Sequence, residues 1–198
     1  MKTIRRLIRC FAMLVFASQS MLATAQKCDR FVNSRDSELQ RFLQQRTSDQ
    51  DPWCTVVALR TLGHHQVTGA ISTLVDYLDF EAPMSEAEKN GIFIQPREPG
   101  KYPAETALFE IGKPALPALL DVIRSNTDST SLKRANAIDA IMLIFREDNP
   151  SGVKLIRQAA ESESDAKAAQ SLHRAATEAV RGCVPEVKAD CIAAAGEN

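Results

Sequence analysis

Between Tyr102 and Ser125 the chain reads YPAETALFEIGKPALPALLDVIRS, and its apolar positions fall into two helical registers. Ala104, Ala107, Leu108 and Ile111 lie at i, i+3, i+4 and i+7, one stripe of a helix that begins near Pro103. Gly112 ends it, because a glycine just past the last periodic residue can take the left-handed conformation of a C-terminal cap. Pro114 suits the first turn of a second helix, whose stripe is Leu116, Leu119, Leu120 and Ile123. Pro117 is tolerable there, since the earliest amides of a helix have no intrahelical acceptor to lose. The stretch predicts a tight helical hairpin. Such a hairpin has two apolar faces and satisfies only one internally, so neighbouring copies must stack on it.

Copies exist. Ala58 to Gly63 (ALRTLG) aligns with Ala107 to Gly112 (ALFEIG), and Ala70 to Asp76 (AISTLVD) aligns with Ala115 to Asp121 (ALPALLD). A third copy has Ala140 to Phe145 and then Val153 to Ala160, with Arg146-Glu147-Asp148 in place of the glycine turn. In these motifs the chain resembles the HEAT repeat family, particularly short HEAT-like repeats with an A-L-x-x-I-G turn followed by a proline-led helix, over residues 51–182. The resemblance implies an all-α fold, a short right-handed α-solenoid of stacked hairpins. It also implies a concave surface built from the second helices.

In chain order, residues 1–25 stand apart from this pattern. Lys2, Arg5, Arg6 and Arg9 precede the apolar run Cys10 to Ala17, and Ala23-Thr24-Ala25 is a small-residue cleavage pattern, so the segment reads as a secretory signal peptide. An uncleaved anchor is the alternative, but the run is too short to cross about 30 Å of hydrocarbon. Gln26 stands where a lipoprotein would carry its cysteine. The expected product is an exported, soluble chain over 26–198, periplasmic where there is an outer membrane, with no stable membrane anchor.

Within 26–198, residues 26–50 form an N-terminal cap, with Ser34 or Asp36 starting a helix to about Gln45 that turns Leu39, Phe42 and Leu43 onto the first repeat. Repeat one spans 51–79: Asp51 caps a helix with Pro52 at its first position, and Val67, Ala70, Ile71, Leu74, Val75 and Leu78 are the core stripe of its second helix. Repeat two spans 102–125. Repeat three spans 129–161, with Ala135, Ile138, Ile141, Met142, Ile144 and Phe145 on what should be the most buried helix, and Asn149-Pro150 starting the next. Residues 164–198 supply a terminal helix capped by Ser164 and a C-terminal cap. On that helix Ala168, Ala169, Leu172, Ala175, Ala176 and Ala179 face a neighbour, while Lys167, Arg174, Glu178 and Arg181 face water.

The A-L motifs lie 49 residues apart across residues 80–101, against 33 for the next interval, so 80–101 is an insertion. Ser85 to Asn90 suits a helical turn or two, and Gly91 to Gln95 a short extended segment. Insertions in repeat arrays map to one face, which is frequently the binding face. The alternative is a flap whose Ile92, Phe93 and Ile94 cover core.

Charge and cysteine usage narrow the function. Subtracting four basic residues from a net charge of -1 leaves -5 for 26–198, and basic residues are interleaved with acidic ones, which argues against nucleic acid. Cys28, Cys54, Cys183 and Cys191 form an even set suited to an oxidising compartment. Of three connectivities, Cys28 with Cys54 and Cys183 with Cys191 is favoured, because each closes a short segment at a fraying end; buried free thiols are the alternative.

Candidate chemistry is thin. His64-His65 is the most tempting pair, but adjacent residues of a helical turn point apart and no spacing fixes a third ligand. His173, and paired carboxylates such as Asp76 and Asp79, suit solvated faces. There is no Gly-rich phosphate loop, G-x-S-x-G or H-E-x-x-H, so no cofactor, metal or catalytic residue is assigned. The reading is a protein–protein interaction module or scaffold of the cell envelope, not an enzyme. Phe80, Phe93 and Tyr102 would be its aromatic anchors. Thr68, Thr73, Asp76, Tyr77, Asp121, Arg124, Lys154 and Arg157 would be exposed contributors on second helices. A small-molecule or lyase-like enzyme with a site beneath the insertion is the alternative; the resemblance allows it, because the bilin lyases are HEAT-like. An inhibitory or immunity-type partner protein is a third.

Overall fold

Proline and carboxylate positions set where the helices begin. In the computed structural model, which describes residues 28, 30–45, 47, 50–84, 89 and 100–196, every regular element is a helix. A 3-10 turn at Arg30–Asn33 precedes α1 (Asp36–Gln45) and α2 (Pro52–His64). A second 3-10 turn, Thr68–Ala70, leads into the short α3 (Ile71–Asp76). Past the insertion come α4 (Pro103–Ile111), the 3-10 turn Lys113–Ala115 and α5 (Leu116–Ser125). The chain continues with α6 (Leu132–Ile144), α7 (Asn149–Glu161), α8 (Ala166–Ala179) and its 3-10 extension Val180–Gly182. A last 3-10 turn, Pro185–Val187, opens α9 (Lys188–Ala195).

The Asp51 carboxylate caps α2, accepting from the Trp53 amide at 2.9 Å, with Pro52 at the first position. Of the other proposed caps, Asp36 is itself the first residue of α1, and two move by one residue. Asp148, not Asn149, caps α7 by accepting from the Ser151 amide, and Asp165, not Ser164, caps α8 by accepting from the Ala168 amide at 2.8 Å. A carboxylate outcompetes the neighbouring amide or hydroxyl because it meets the partial positive charge of the helix start.

The aligned glycines do different work. Gly112 ends α4 with φ 79° and ψ −143°, a positive-φ conformation outside the left-handed helical well, which turns the chain abruptly into the next 3-10 turn. Gly63 lies inside α2 and stops nothing: a Cβ there would stand 2.4 Å from Ala107 Cα, so the glycine exists to let α2 and α4 touch. Gln66 makes the turn instead, at φ 52°, its amide donating to Gly63 O at 2.8 Å while that of Val67 donates to Leu62 O at 3.1 Å. The Gln66 side chain then donates to the Glu110 carbonyl at 3.0 Å, joining the two turns.

Packing departs from the tight hairpin in one respect. Although only Gly112 and the 3-10 turn Lys113–Ala115 separate α4 from α5, α4 associates most with α2 and α6, and α5 with α6 and α8. The joint is a corner. α3 rests on α4 and α5, α1 covers α2 and α3, and α7 lies between α8 and α9. Buried apolar residues from Cys28 to Cys191 form one cluster. Leu39, Leu43, Ala70, Leu74, Leu78, Leu119 and Ile123 are fully enclosed as their stripes predict. α6 buries seven of its 13 residues, but so does α2, and Ala135 is exposed.

Both ends are cross-linked. Cys28 bonds to Cys54 and Cys183 to Cys191, with Cα separations of 4.9 and 6.7 Å. No described helix is long and apolar enough to cross a membrane. The proposed signal peptide, and the helical-turn and extended segments of the insertion with Phe93, lie outside the described residues. The ends of the insertion meet, the Ala82 amide donating to the Lys101 carbonyl at 2.9 Å.

Candidate functional site

An open cleft of about 550 Å³ lies where the insertion returns to the helical body. Three elements wall it. Tyr102, Glu105 and Thr106, spaced i, i+3, i+4, come from the start of α4; Asp139, Met142, Leu143 and Arg146, spaced i, i+3, i+4, i+7, form a stripe of α6 and its last turn. Gly182 and Val184 make the third wall, with Asn149 below them. Asn149 is buried and fixes that wall: its Oδ1 accepts from the Val184 amide at 3.4 Å, and its Nδ2 donates to the Phe145 carbonyl at 3.2 Å. Val184 is 48% exposed, and a Cβ added at Gly182 would meet nothing within 4 Å.

Two cations at the rim are laid on aromatic rings. Lys101 Nζ lies 5.0 Å from the Tyr102 centroid and Arg146 Cζ lies 5.1 Å from that of Phe109. Lys101, Glu105 and Asp139 each have a further interaction partner.

Among the described residues, only Tyr102 of the proposed contacts lines this cleft. Phe80 is half-buried and meets the Tyr77 ring edge-on at 5.9 Å, as part of the core margin. Two residues expected at the surface are corrected by burial: Tyr77 is 8% exposed and donates its hydroxyl to the Leu43 carbonyl at 2.6 Å, and Thr73 is 6% exposed. The short α3 packs against α1, α4 and α5, which covers its off-stripe Thr73 while Ser72 and Asp76 stay exposed. Asp76 is exposed, 3.7 Å from Lys133 Nζ. Arg124 joins Asp121 at 2.5 Å and Glu163 at 2.9 Å, while Arg157 joins Glu161 at 2.8 Å and lies against Gly196. Thr68 and Lys154 are exposed and outside the cleft lining.

His65 Nδ1 meets the Asp36 carboxylate at 2.9 Å, and its ring centroid stands 6.2 Å from that of His64. Cys28, Asp51 and Cys54 cluster at metal-ligand distances. The two sulfurs are bonded to each other and Asp51 caps α2, which commits all three to structure.

A buried polar network escaped the sequence reading. Arg134, 1% exposed, pairs with Glu178 and donates from Nε to Ser171 Oγ at 3.3 Å and from Nη2 to Ser171 O at 3.1 Å. Ser171 Oγ in turn donates to the Ile123 carbonyl at 2.8 Å, tying α5, α6 and α8 together. Glu178, assigned to water from its place on α8, is therefore half-committed to the interior. Beside the network, the Asp128 carboxyl is held below its ordinary pKa, first by the Thr130 amide and then by the Thr130 hydroxyl, with Arg174 adding a smaller push the same way. No known family, curated protein or solved structure matches the chain.

Proposed function

We propose that the chain is an exported binding module of HEAT-like, right-handed α-solenoid type, which takes a segment of a partner protein into the cleft between α4, α6 and residues 182–184. The carrying observation is that cleft, set at the root of the insertion and walled by apolar, polar and charged groups. The lateral association of α2, α4 and α6, with α1, α3, α5 and α8 following one another beside them, supports a layered array. The two cystines suit an oxidising compartment.

A photocrosslinking side chain at Val184 tests this, in the otherwise natural chain and in Gly182→Trp. The open space at Gly182 lets the indole stand at the cleft wall without displacing core. One cell-envelope protein should crosslink at Val184 and be lost in Gly182→Trp, with the melting temperature unchanged. Equal crosslinking in both chains, or a copurifying small molecule in place of a protein, overturns the proposal.

A further inference from the structure

Among the described residues four charged side chains line the cleft, and their partners distinguish them. Lys101, Glu105 and Asp139 each have a further interaction of their own. Arg146 differs. It is exposed, its guanidinium carbon lies over the Phe109 ring, and it forms no ion pair with any described residue. Contact with the ring restrains the guanidinium, and in the stacked arrangement that arginine favours on aromatic rings its N–H donors stay free at the edge. A cation so placed has little rotamer freedom left to lose, and its fork matches a carboxylate in two-point geometry.

We infer that Arg146 is the specificity-determining cation of the cleft and receives a carboxylate of the incoming peptide segment, either a chain terminus or an Asp or Glu side chain. This rests on the cleft being the binding site. The Glu105 and Asp139 carboxylates add a selective element: a carboxylate presented away from Arg146 meets like charge, so the segment is held in one direction. Leu143 and Val184 lie on the α6 and 182–184 walls and supply apolar contact beside that anchor.

The test uses the full folded chain labelled with 15N and two peptide pools as probes. One pool holds acetylated heptapeptides with a free terminal carboxylate, Asp and Glu included; the other holds the same sequences amidated at the terminus, with Asn and Gln in place of Asp and Glu. The carboxylate pool should shift the Arg146 Nε–Hε resonance together with the Leu143 and Val184 amides, and the amide pool should bind at least about tenfold more weakly, the scale of one charge-assisted hydrogen bond. Arg146→Gln should lose that preference, Arg146→Lys should keep part of it, and Gly182→Trp should abolish both responses. Equal shifts from both pools, with Arg146→Gln binding normally, overturn the carboxylate inference and leave the cleft reading standing. No shift of Leu143 or Val184 with either pool overturns both. Acetate reproducing the Arg146 shift at equal carboxylate concentration overturns the peptide as the source.

Discussion

Glu178→Leu should destabilise the fold far more than its position on α8 suggests, and Arg134→Met should do less harm than removing a buried arginine normally does. The two partners are enclosed unequally: the Arg134 side chain is 1% exposed and that of Glu178 31%. Deleting the glutamate leaves a buried guanidinium that cannot shed its proton and has lost its counter-ion. Breaking a buried pair from one side costs about 3–5 kcal/mol, and the lower end applies because Arg134 keeps its two bonds to Ser171. For a chain of this length, about 3 kcal/mol corresponds to a fall of roughly 6–12 °C in Tm. Deleting the arginine leaves a carboxylate that can turn outward and rehydrate, and methionine refills most of the volume, so about 1–2 kcal/mol is expected. The double variant should recover much of the Glu178→Leu loss, since an apolar pair of similar volume commonly equals a buried ion pair. Urea unfolding of the four proteins, followed by circular dichroism, measures the cycle. A Glu178→Leu loss within about 0.5 kcal/mol, the scale of an ordinary surface change, refutes the reasoning.

Gly63→Ala should cost about 1–3 kcal/mol by driving a methyl into the Ala107 backbone, whereas Gly69→Ala, with nothing within 4 Å, should be neutral or slightly stabilising in the same melts. Non-reducing mass spectrometry should find four hydrogens fewer than the reduced chain. From loop-closure entropy over separations of 26 and 8 residues, replacing Cys28–Cys54 or Cys183–Cys191 by serines should cost about 3.5 and 2.5 kcal/mol respectively. Asp128, whose folded pKa is depressed, contributes stability that is present above the unfolded carboxyl value of about 3.9 and is lost as pH falls through the folded value. Asp128→Asn should therefore flatten the acid side of a Tm–pH curve below about pH 4 and leave the shape of the curve above about pH 5 as in the unsubstituted chain; an unchanged acid slope removes Asp128 from the account.

Local rules were readable where the cause is local. The stripe through Ala70, Leu74 and Leu78 is enclosed because a 3.6-residue period puts those side chains on one face, whatever they pack against. Start signals were readable to within a residue, and the cystine pairing followed from short spans at the two ends. What failed depended on a neighbour distant in sequence. ALRTLG and ALFEIG look interchangeable, yet Gly63 answers to Ala107, 44 residues away, and Gly112 to its own φ. Tyr77 and Thr73 sat off their stripe and so read as solvated. A second stripe cannot be inferred for a six-residue helix until α1, α4 and α5 are known to pack against it.

The same logic explains why α6 hid the cleft. With alanine, isoleucine, methionine and leucine on most of its circumference, LKRANAIDAIMLI has no apolar face to orient it, which marks a central helix and nothing more. On such a helix the apolar residues are interchangeable as evidence and the polar ones are informative, because each must be answered by a specific partner or by an opening. Arg134 is answered by Glu178 and Ser171, and Asn136 by the Leu78 carbonyl at 2.5 Å, so both are structural. Asp139 lies on the stripe that opens to the cleft, and the helix's last turn carries the same stripe on to Arg146. Exposure at Asp139 and Arg146, and not a missing partner, therefore marks the cleft side of a helix whose hydrophobic periodicity is silent.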